Sequence, residues 1–486
     1  MKLNIAELDQ IPDEGVQKPD AACLTLPETV LQFGTGVLLR GLPDYFIDKA
    51  NRQGHFKGRV VIVKSTSGGD AHAFDRQDGL YTMCVRGIEH GHKIAENIIN
   101  SAVSRVLSAK DQWAEVLGLA RGTDIRIVIS NTTEVGIQLV EEDIHTAPPA
   151  SFPGKLLAFL YARYQAGGAG LVIIPTELIS DNGKKLKLIV TDLARFNKLE
   201  QGFLDWLDRH NQFCSSLVDR IVPGRPDGPA LGALQTYLGY EDDLLLICES
   251  YRLWAIEGDP DLLSPVLSFA QADPGVVIAP SIEVFKELKL RLLNGTHTLS
   301  CGLAFLSGFD TVRDAMEDED FGNFIETLAL GEIAHAIPIA LPEGAAKEFG
   351  TKVLDRFRNP YLEHRWINIT LQYSSKMKLR VIPVLLQHYV LKGTPPDAMT
   401  EGFAGHIQFM KPTKEEGGKY SGSSRGLHYP IQDDNAAKYA QHWSSNDPVH
   451  AILSDMSLWD TDLSALPGFE SAVKKALITV KEKGGL

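Results

Sequence analysis

Short apolar runs alternate with stretches of helical period through the first 280 residues. Residues 29–33, 59–64, 126–129 and 171–174 are almost wholly apolar or β-branched, the pattern of strands buried on both faces. Between them, residues 38–50 and 155–165 repeat apolar positions at helical spacing, and Gly167-Gly168 closes the second stretch. Strands alternating with helices predict a parallel sheet covered on both sides. Residues 276–278, between Pro274 and Pro280, add a late strand. Beyond Pro280 the β-branched runs thin out, and residues 283–306, 310–317, 321–337, 341–359, 362–376 and 380–391 read as helices. Residues 402–432, rich in Gly, Ser and Lys, read as a surface excursion. The expected architecture is an α/β domain over 1–280 and a mostly α-helical domain over 281–486.

Composition narrows the function. The chain has 486 residues, 44% of them hydrophobic, a net charge of −14 and a mean hydropathy of −0.08, which is a soluble globular composition with room for two or three cores. The acidic balance argues against nucleic acid or an anionic membrane as partner, because no net basic field attracts phosphates. The apolar runs fall far short of the ~20 residues that span a bilayer. Five cysteines (Cys23, Cys84, Cys214, Cys248, Cys301) are scattered without a C-x-x-C spacing and read as reduced thiols. Charges near the N-terminus stand where a signal peptide needs an apolar run, so a cytoplasmic location is expected.

Gly34-Thr35-Gly36 lies between a buried strand and a helix, the context in which glycines let a backbone turn approach a pyrophosphate. The third glycine of G-x-G-x-x-G is replaced by Leu39, and Lys64-Ser65-Thr66 follows the second strand where an acidic residue would hold an adenosine ribose. Asp70 is the nearest candidate for that role, while Lys64, Ser65 and Thr66 would tolerate a 2′-phosphate. Asn131 and Thr132 follow the third strand at the sheet edge where open α/β sheets bind ligands. Tyr45 and Lys49 match a bare Y-x-x-x-K spacing but sit on the first helix, where packing is the simpler reading. His90-Gly91-His92 completes no metal-ligand spacing and reads as a solvated loop; no metal is expected.

The most informative segment runs from Phe285 to His297. At ~100° per residue, Lys289, His297 and Asn294 fall near 0°, 80° and 140°, on one broad helix face. Lysine supplies a proton, asparagine a neutral donor for a carbonyl oxygen, and histidine can orient either. Gly295 inside a helix implies close approach of a ligand or backbone. Arg356, Arg358, Lys376, Lys378 and Arg380 concentrate cations in the helical half of an acidic chain.

At these residues the chain resembles the polyol-specific long-chain dehydrogenases, a family that includes mannitol dehydrogenase and the hexuronate reductases. The resemblance rests on K-x-x-x-x-N-x-x-H as Lys289, Asn294 and His297. Further stretches carry it: Gln32 to Gly36 with Leu39-Arg40, Gln77 to Thr82, Ser130 to Glu134, Phe213 to Val222, and Arg356 to Tyr361. It implies a Rossmann-type N-terminal domain and a helical substrate domain, with the site in the cleft between them. It implies NAD as cofactor, bound around Gly34, Thr35, Gly36, Val37, Leu38, Arg40, Asp70, Asn131 and Thr132. It also implies Lys289 as acid/base, Asn294 with Asn182 as an oxyanion-binding pair, and His297 and Asp219 lining the site. The implied reaction is reversible NAD-linked reduction of the keto sugar acid tagaturonate to altronate. Reduction of fructuronate or oxidation of mannitol or arabinitol is the alternative, and a catalytically silent NAD-binding sensor is a more distant one.

A uronate brings a carboxylate that a neutral polyol lacks, and burying it calls for a basic partner. Lys378 and Arg380 are the first candidates and Arg358 the next; Arg356, in an R-F-x-N-P pattern, reads as a structural helix end. An ordinary lysine pKa of about 10.4 must fall toward ~7–8 for efficient proton transfer, through desolvation or a cation such as His297.

Overall fold

The computed structural model describes residues 1–65, 71–132 and 136–483, in two compact units. One unit comprises residues 1–86 and 93–282, the other 87–92 and 283–486. The strands of the first are β1 (Glu28–Phe33), β2 (Arg59–Lys64), β3 (Tyr81–Glu89), β4 (His92–Asn100), β5 (Val103–Ser108), β6 (Ile127–Ser130), β7 (Val172–Pro175), β8 (Gln212–Phe213), β9 (Ser216–Asp219), β10 (Leu246–Glu249), β11 (Leu253–Glu257) and β12 (Val276–Ala279).

Six of them form one parallel sheet in the order β5-β2-β1-β6-β7-β8. Successive residues of these strands bury toward opposite faces, as the period-two geometry of a strand requires. Val30, Val60, Ile62, Ile127, Ile129 and Ile174 join a core with Phe46, Trp254 and Phe269. Leu31, Phe33, Val61, Val63, Val128 and Ile173 join a second core with Val116, Leu156, Phe159 and Val190. Each such side chain contributes ~1.5–3 kcal/mol of burial, which explains why the four strongest strands are apolar at nearly every position. Two three-stranded sheets, β10-β3-β4 and β12-β11-β9, complete the unit.

Three local expectations change. The first helix is not continuous: residues Val37–Gly41 and Pro43–Arg52 are separate helices, broken at Leu42, because Pro43 has no amide hydrogen to carry the ladder through. Strands β3 and β4, which apolar runs did not mark, form a hairpin whose turn is His90-Gly91, both at positive φ (52° and 77°). The expected excursion at 402–432 is two things. Gly402 to Phe409 complete a buried helix, Asp397–Phe409, and only Lys414–Glu416, Lys419–Ser424 and Leu427–Ile431 form an antiparallel sheet. The glycines are there for packing: a Cβ on Gly402 would lie 2.7 Å from the Leu299 carbonyl oxygen, and one on Gly405 2.8 Å from Leu299's neighbour along the same helix, Leu303.

The second unit is otherwise helical, and its helices carry three π-helical turns, Lys289–Gly295, Thr327–Glu332 and Met377–Val381. Some of its helices start on side-chain caps, as in the Thr311–Asp314 capping box before Val312–Glu317. No helix among the described residues is long and apolar enough to cross a membrane.

Candidate functional site

The strand order of the large sheet reverses between β1 and β6, the place where open α/β sheets receive ligands. The chain leaves β1 through Gly34, at φ +124°, where a Cβ would lie 2.9 Å from the Asn131 carbonyl oxygen and 3.1 Å from Leu39 Cδ1. Only glycine fits there. Gly36 is different: it is exposed, and a Cβ on it would meet nothing within 4 Å. Open space above an exposed glycine at a switch point suits the close approach of a pyrophosphate, so the turn fits a dinucleotide. Thr35, Val37 and Leu38 are half-buried beside it. Leu39, in place of the third glycine, is fully buried and packs under the turn.

Arg40 takes another course. Its guanidinium is buried, donates from Nη1 to the Leu244 carbonyl oxygen (2.6 Å) and lies over the Phe74 and Tyr81 rings. It braces the turn from beneath. Gln32 does so too, donating from Nε2 to the Gly34 carbonyl oxygen (3.2 Å) and to Asp44 Oδ2 (3.4 Å). Burial raises the Asp44 carboxyl to about 7, against the lowering influence of Gln32, Arg40 and Tyr81.

At the ends of β6 and β7 the polar groups are knotted together. Asn131 donates to the Thr176 carbonyl oxygen and hydroxyl (3.1 and 3.0 Å). The buried Glu177 carboxylate accepts from the Thr132 amide (2.8 Å), the Thr132 hydroxyl (3.0 Å) and the Ser130 hydroxyl (3.2 Å). Glu177 was not among the expected site residues, although a carboxylate in the polar stretch that follows an apolar strand was a visible signal. Asp70 lies outside the described residues.

Asn182 does not stand ready for an oxyanion. It is fully buried, its Nδ2 donates to the Glu177 and Ser216 carbonyl oxygens (both 3.0 Å), and its Oδ1 accepts from the Gly183 and Ser216 amides (both 2.9 Å). Both amide hydrogens and both acceptor positions are used, so its part is to fix the turn after β7. Asp219 is buried at the end of β9.

In the helical unit, Lys289 opens the π-helical turn that runs to Gly295. In a π-turn the ladder joins residues five apart, so Lys289 and Asn294 are related by that ladder rather than lying far round an α-helix. Lys289 and Asn294 are half-buried, and the Asn294 carboxamide makes no hydrogen bond to another described residue. Gly295 is not forced by space: a Cβ would meet its neighbours at 3.7–4.0 Å, ordinary contact.

His297 stacks on Phe357 at 4.1 Å and meets His364 edge-on at 5.0 Å. Its enclosed Nε2 has no partner among the described residues. Burial holds its pKa well below the usual histidine value, and His364, Arg356, Arg380 and Lys376 push it further down. His297 is therefore neutral at pH 7, which corrects the expectation that it serves as a cation. The cations are its neighbours. Arg380 donates to the Thr298 hydroxyl (3.1 Å) and Lys376 to the Ile369 carbonyl oxygen (2.9 Å), and neither forms an ion pair with a described carboxylate.

The other two cations of the expected set are spent on the surface. Lys378 pairs with Asp460 (2.7 Å) and Arg358 with Glu326 (3.4 Å), all substantially exposed. Arg356, read as structural, is buried and acts on His297 from the same side as Arg380 in charge. Among the described residues no group of three or more His, Cys, Asp or Glu side chains is placed to hold a metal ion.

A glycine turn at the switch point of a parallel sheet is a Rossmann-type feature, and the helical unit by itself carries the Lys–Asn–His helix. The mannitol dehydrogenase Rossmann domain model matches residues 28–264 and the mannitol dehydrogenase C-terminal domain model residues 281–481, so the chain belongs to the mannitol dehydrogenase family. It is 36% identical to altronate oxidoreductase of Bacillus subtilis (strain 168) over 470 residues, 94% of each chain. It is 38% identical to altronate oxidoreductase of Halalkalibacterium halodurans over 480 residues, 94% of this chain and 92% of that one. Its fold is similar to D-sorbitol dehydrogenase in substrate-free form (TM-score 0.80, 20% identity, covering 100% and 99% of the two chains). It is also similar to Pseudomonas fluorescens mannitol 2-dehydrogenase, solved with NAD and D-mannitol (TM-score 0.67, 21% identity, covering 100% and 98%). The chain is thus an oxidoreductase of the polyol and sugar-acid type.

Proposed function

We propose that this oxidoreductase uses NAD and interconverts a keto sugar acid, tagaturonate, with its alcohol, altronate. The observation that carries the acidic substrate is Arg380 with Lys376, two half-buried cations beside the Lys–Asn–His motif that form no ion pair with a described carboxylate. Desolvated cations of this kind suit a carboxylate and have no counterpart need in a neutral polyol. The names of the relatives at 36–38% identity support the same reading.

A nicotinamide cofactor held at the Gly34–Gly36 turn would supply hydride chemistry for the keto carbon. Lys289 gives a proton to the oxygen on which negative charge develops, completing the hydroxyl, and takes it back in the reverse direction. The free Asn294 amide donates to that oxygen. His297 is neutral, and its enclosed Nε2 is aimed at no described partner. Asn182 has no donor to spare and enters as a support of the turn after β7.

NADH oxidation measured with tagaturonate, fructuronate and fructose tests the reading. The highest kcat/KM is expected on tagaturonate, with NADH preferred to NADPH. A kcat/KM on fructose equal to that on the two acids would overturn the assignment to sugar acids.

A further inference from the structure

Buried side chains of the helical unit tie the turn of Lys289 to the turn of Arg380. Glu287 and Arg291 form a buried forked pair: Arg291 Nε lies 2.9 Å from Glu287 Oε2 and Nη2 3.2 Å from Oε1. The remaining Arg291 nitrogen, Nη1, donates to the carbonyl oxygens of Leu379 (2.5 Å) and Arg380 (3.2 Å). Both acceptors belong to the π-helical turn Met377–Val381, and Arg291 itself sits within the π-helical turn Lys289–Gly295. Widened turns displace backbone carbonyls from their usual i+4 partners, and a guanidinium fork is well shaped to engage a carboxylate and two such carbonyls together.

A second link runs back. Arg380 Nη1 donates to the Thr298 hydroxyl (3.1 Å), and that hydroxyl donates to the Asn294 carbonyl oxygen (2.7 Å). Arg380 is thus held at both ends, by its own carbonyl through Arg291 and by its guanidinium through Thr298. The ring closes through the backbone between Arg291 and Thr298, which carries Asn294.

We propose that the Glu287–Arg291 pair is a positioning device for the reaction, setting the Lys289–Asn294 turn at a fixed distance from the Arg380 turn. It rests on the reading above, in which Lys289 moves the proton and Arg380 takes the carboxylate. A substrate held at one end by Arg380 reacts at the other only if that distance is kept, and misplacement by about 1 Å can cost 10²-fold in rate.

Two variants test it. Arg291→Lys keeps a charge for Glu287 but cannot also serve two carbonyls. The double variant Glu287→Gln, Arg291→Met removes both charges, so no buried carboxylate is left unpaired. Wild-type enzyme is first assayed with NADH on tagaturonate and on fructose; activity on fructose alone would sink the substrate reading and, with it, the role of Arg380 as anchor. On tagaturonate, kcat is expected to fall about 10-fold in Arg291→Lys and about 100-fold in the double variant, with a smaller loss on fructose, which brings no carboxylate to Arg380. The NADH dissociation constant should not move, and wild-type kcat should not be restored by raising substrate. A folded double variant with kcat within about twofold of wild type overturns the proposal, as does a loss of NADH binding parallel to the loss of kcat. Should the double variant fail to fold, Arg291→Lys decides alone by the same criteria.

Discussion

In the reading proposed above, the two units make their functional groups from different material. Around β1 and β6 the groups are main chain: a glycine with positive φ, a second glycine under open space, and amides locked by Glu177 and Asn182. In the helical unit they are side chains, Lys289, Asn294, His297 and Arg380, presented from helices whose hydrogen-bond ladder is locally widened. A main-chain site depends on shape and tolerates many side chains, whereas a side-chain site fails with one substitution.

That contrast is tested most severely at Lys289. Lys289→Ala should reduce turnover at least ~10²-fold in both directions, the usual size of a lost general acid/base, while NADH binding measured by fluorescence survives. Near-normal turnover would show that the helical unit owes nothing to this side chain.

Arg380→Ala comes next. Truncating one member of a buried charge pair costs ~2–5 kcal/mol, so KM for tagaturonate should rise strongly while weak activity on fructose changes little. Lys378→Ala and Arg358→Ala serve as controls and should leave both unchanged, since exposed ion pairs contribute ~0–1 kcal/mol. Equal losses on acid and ketose from Arg380→Ala would assign it to the fold.

The units should also respond oppositely to pH. Asp44, raised to about 7 by burial, binds a proton in the folded state that the unfolded chain has lost, so it withdraws stability as pH rises from about 4 to 7. His406, fully buried and lowered to about 3, stays neutral while the unfolded histidine takes up a proton below its ordinary pKa of about 6.5. Its contribution is complete above that value and is lost as pH falls toward about 3. Asp44→Asn should therefore raise the melting temperature at pH 8 more than at pH 5, an effect on the order of a few kcal/mol. No pH dependence in the difference would mean that Asp44 is an ordinary carboxylate.

The glycine turn gives the smallest effect. Gly34→Ala meets both an unfavourable φ and a backbone oxygen, with a cost on the order of 1–3 kcal/mol in stability. Gly36→Ala has room in the protein and should leave the melting temperature alone while weakening NADH binding. If both variants lose only stability, the open space above Gly36 does not receive the cofactor.

Much of the first unit was legible because its signal is local. Residues 59–64 are apolar at every position but the ends, and the strand found there has the same bounds. Strand β4 escaped because its first half, His92 to Glu96, is largely exposed and His92, Lys93 and Glu96 break up any apolar run. The Lys–Asn–His motif was legible as residue types, but its geometry was not. An α-helical wheel spreads Lys289 and Asn294 apart, and nothing in the spacing of side chains announces a π-turn, which arises from what the helix packs against. Asn182 shows the converse limit: a motif position fixes the residue type, while only the fold shows that all four of its hydrogen-bonding positions are taken. Lys376 and Arg356 were seen as charge, but their action on His297 was not legible, because the three lie far apart in the chain.

The crossing of two helices beside the lysine motif bears on engineering. Replacing a helical glycine by alanine ordinarily stabilises by up to ~1 kcal/mol, and a scan for thermostable variants would begin with such positions. Gly302, in the helix Thr296–Ser307, is the wrong place: a Cβ there would lie 2.8 Å from the Tyr373 hydroxyl oxygen and 3.0 Å from the Gly405 carbonyl oxygen. Alanine would wedge the helix Thr296–Ser307, which carries His297, away from the helix Asp397–Phe409, and should lower the melting temperature. Gly118, exposed in Trp113–Arg121, and Gly232 in Gly228–Leu238 have nothing within 4 Å. Those two are where the scan should start, and their alanine variants should melt higher with unaltered kinetics.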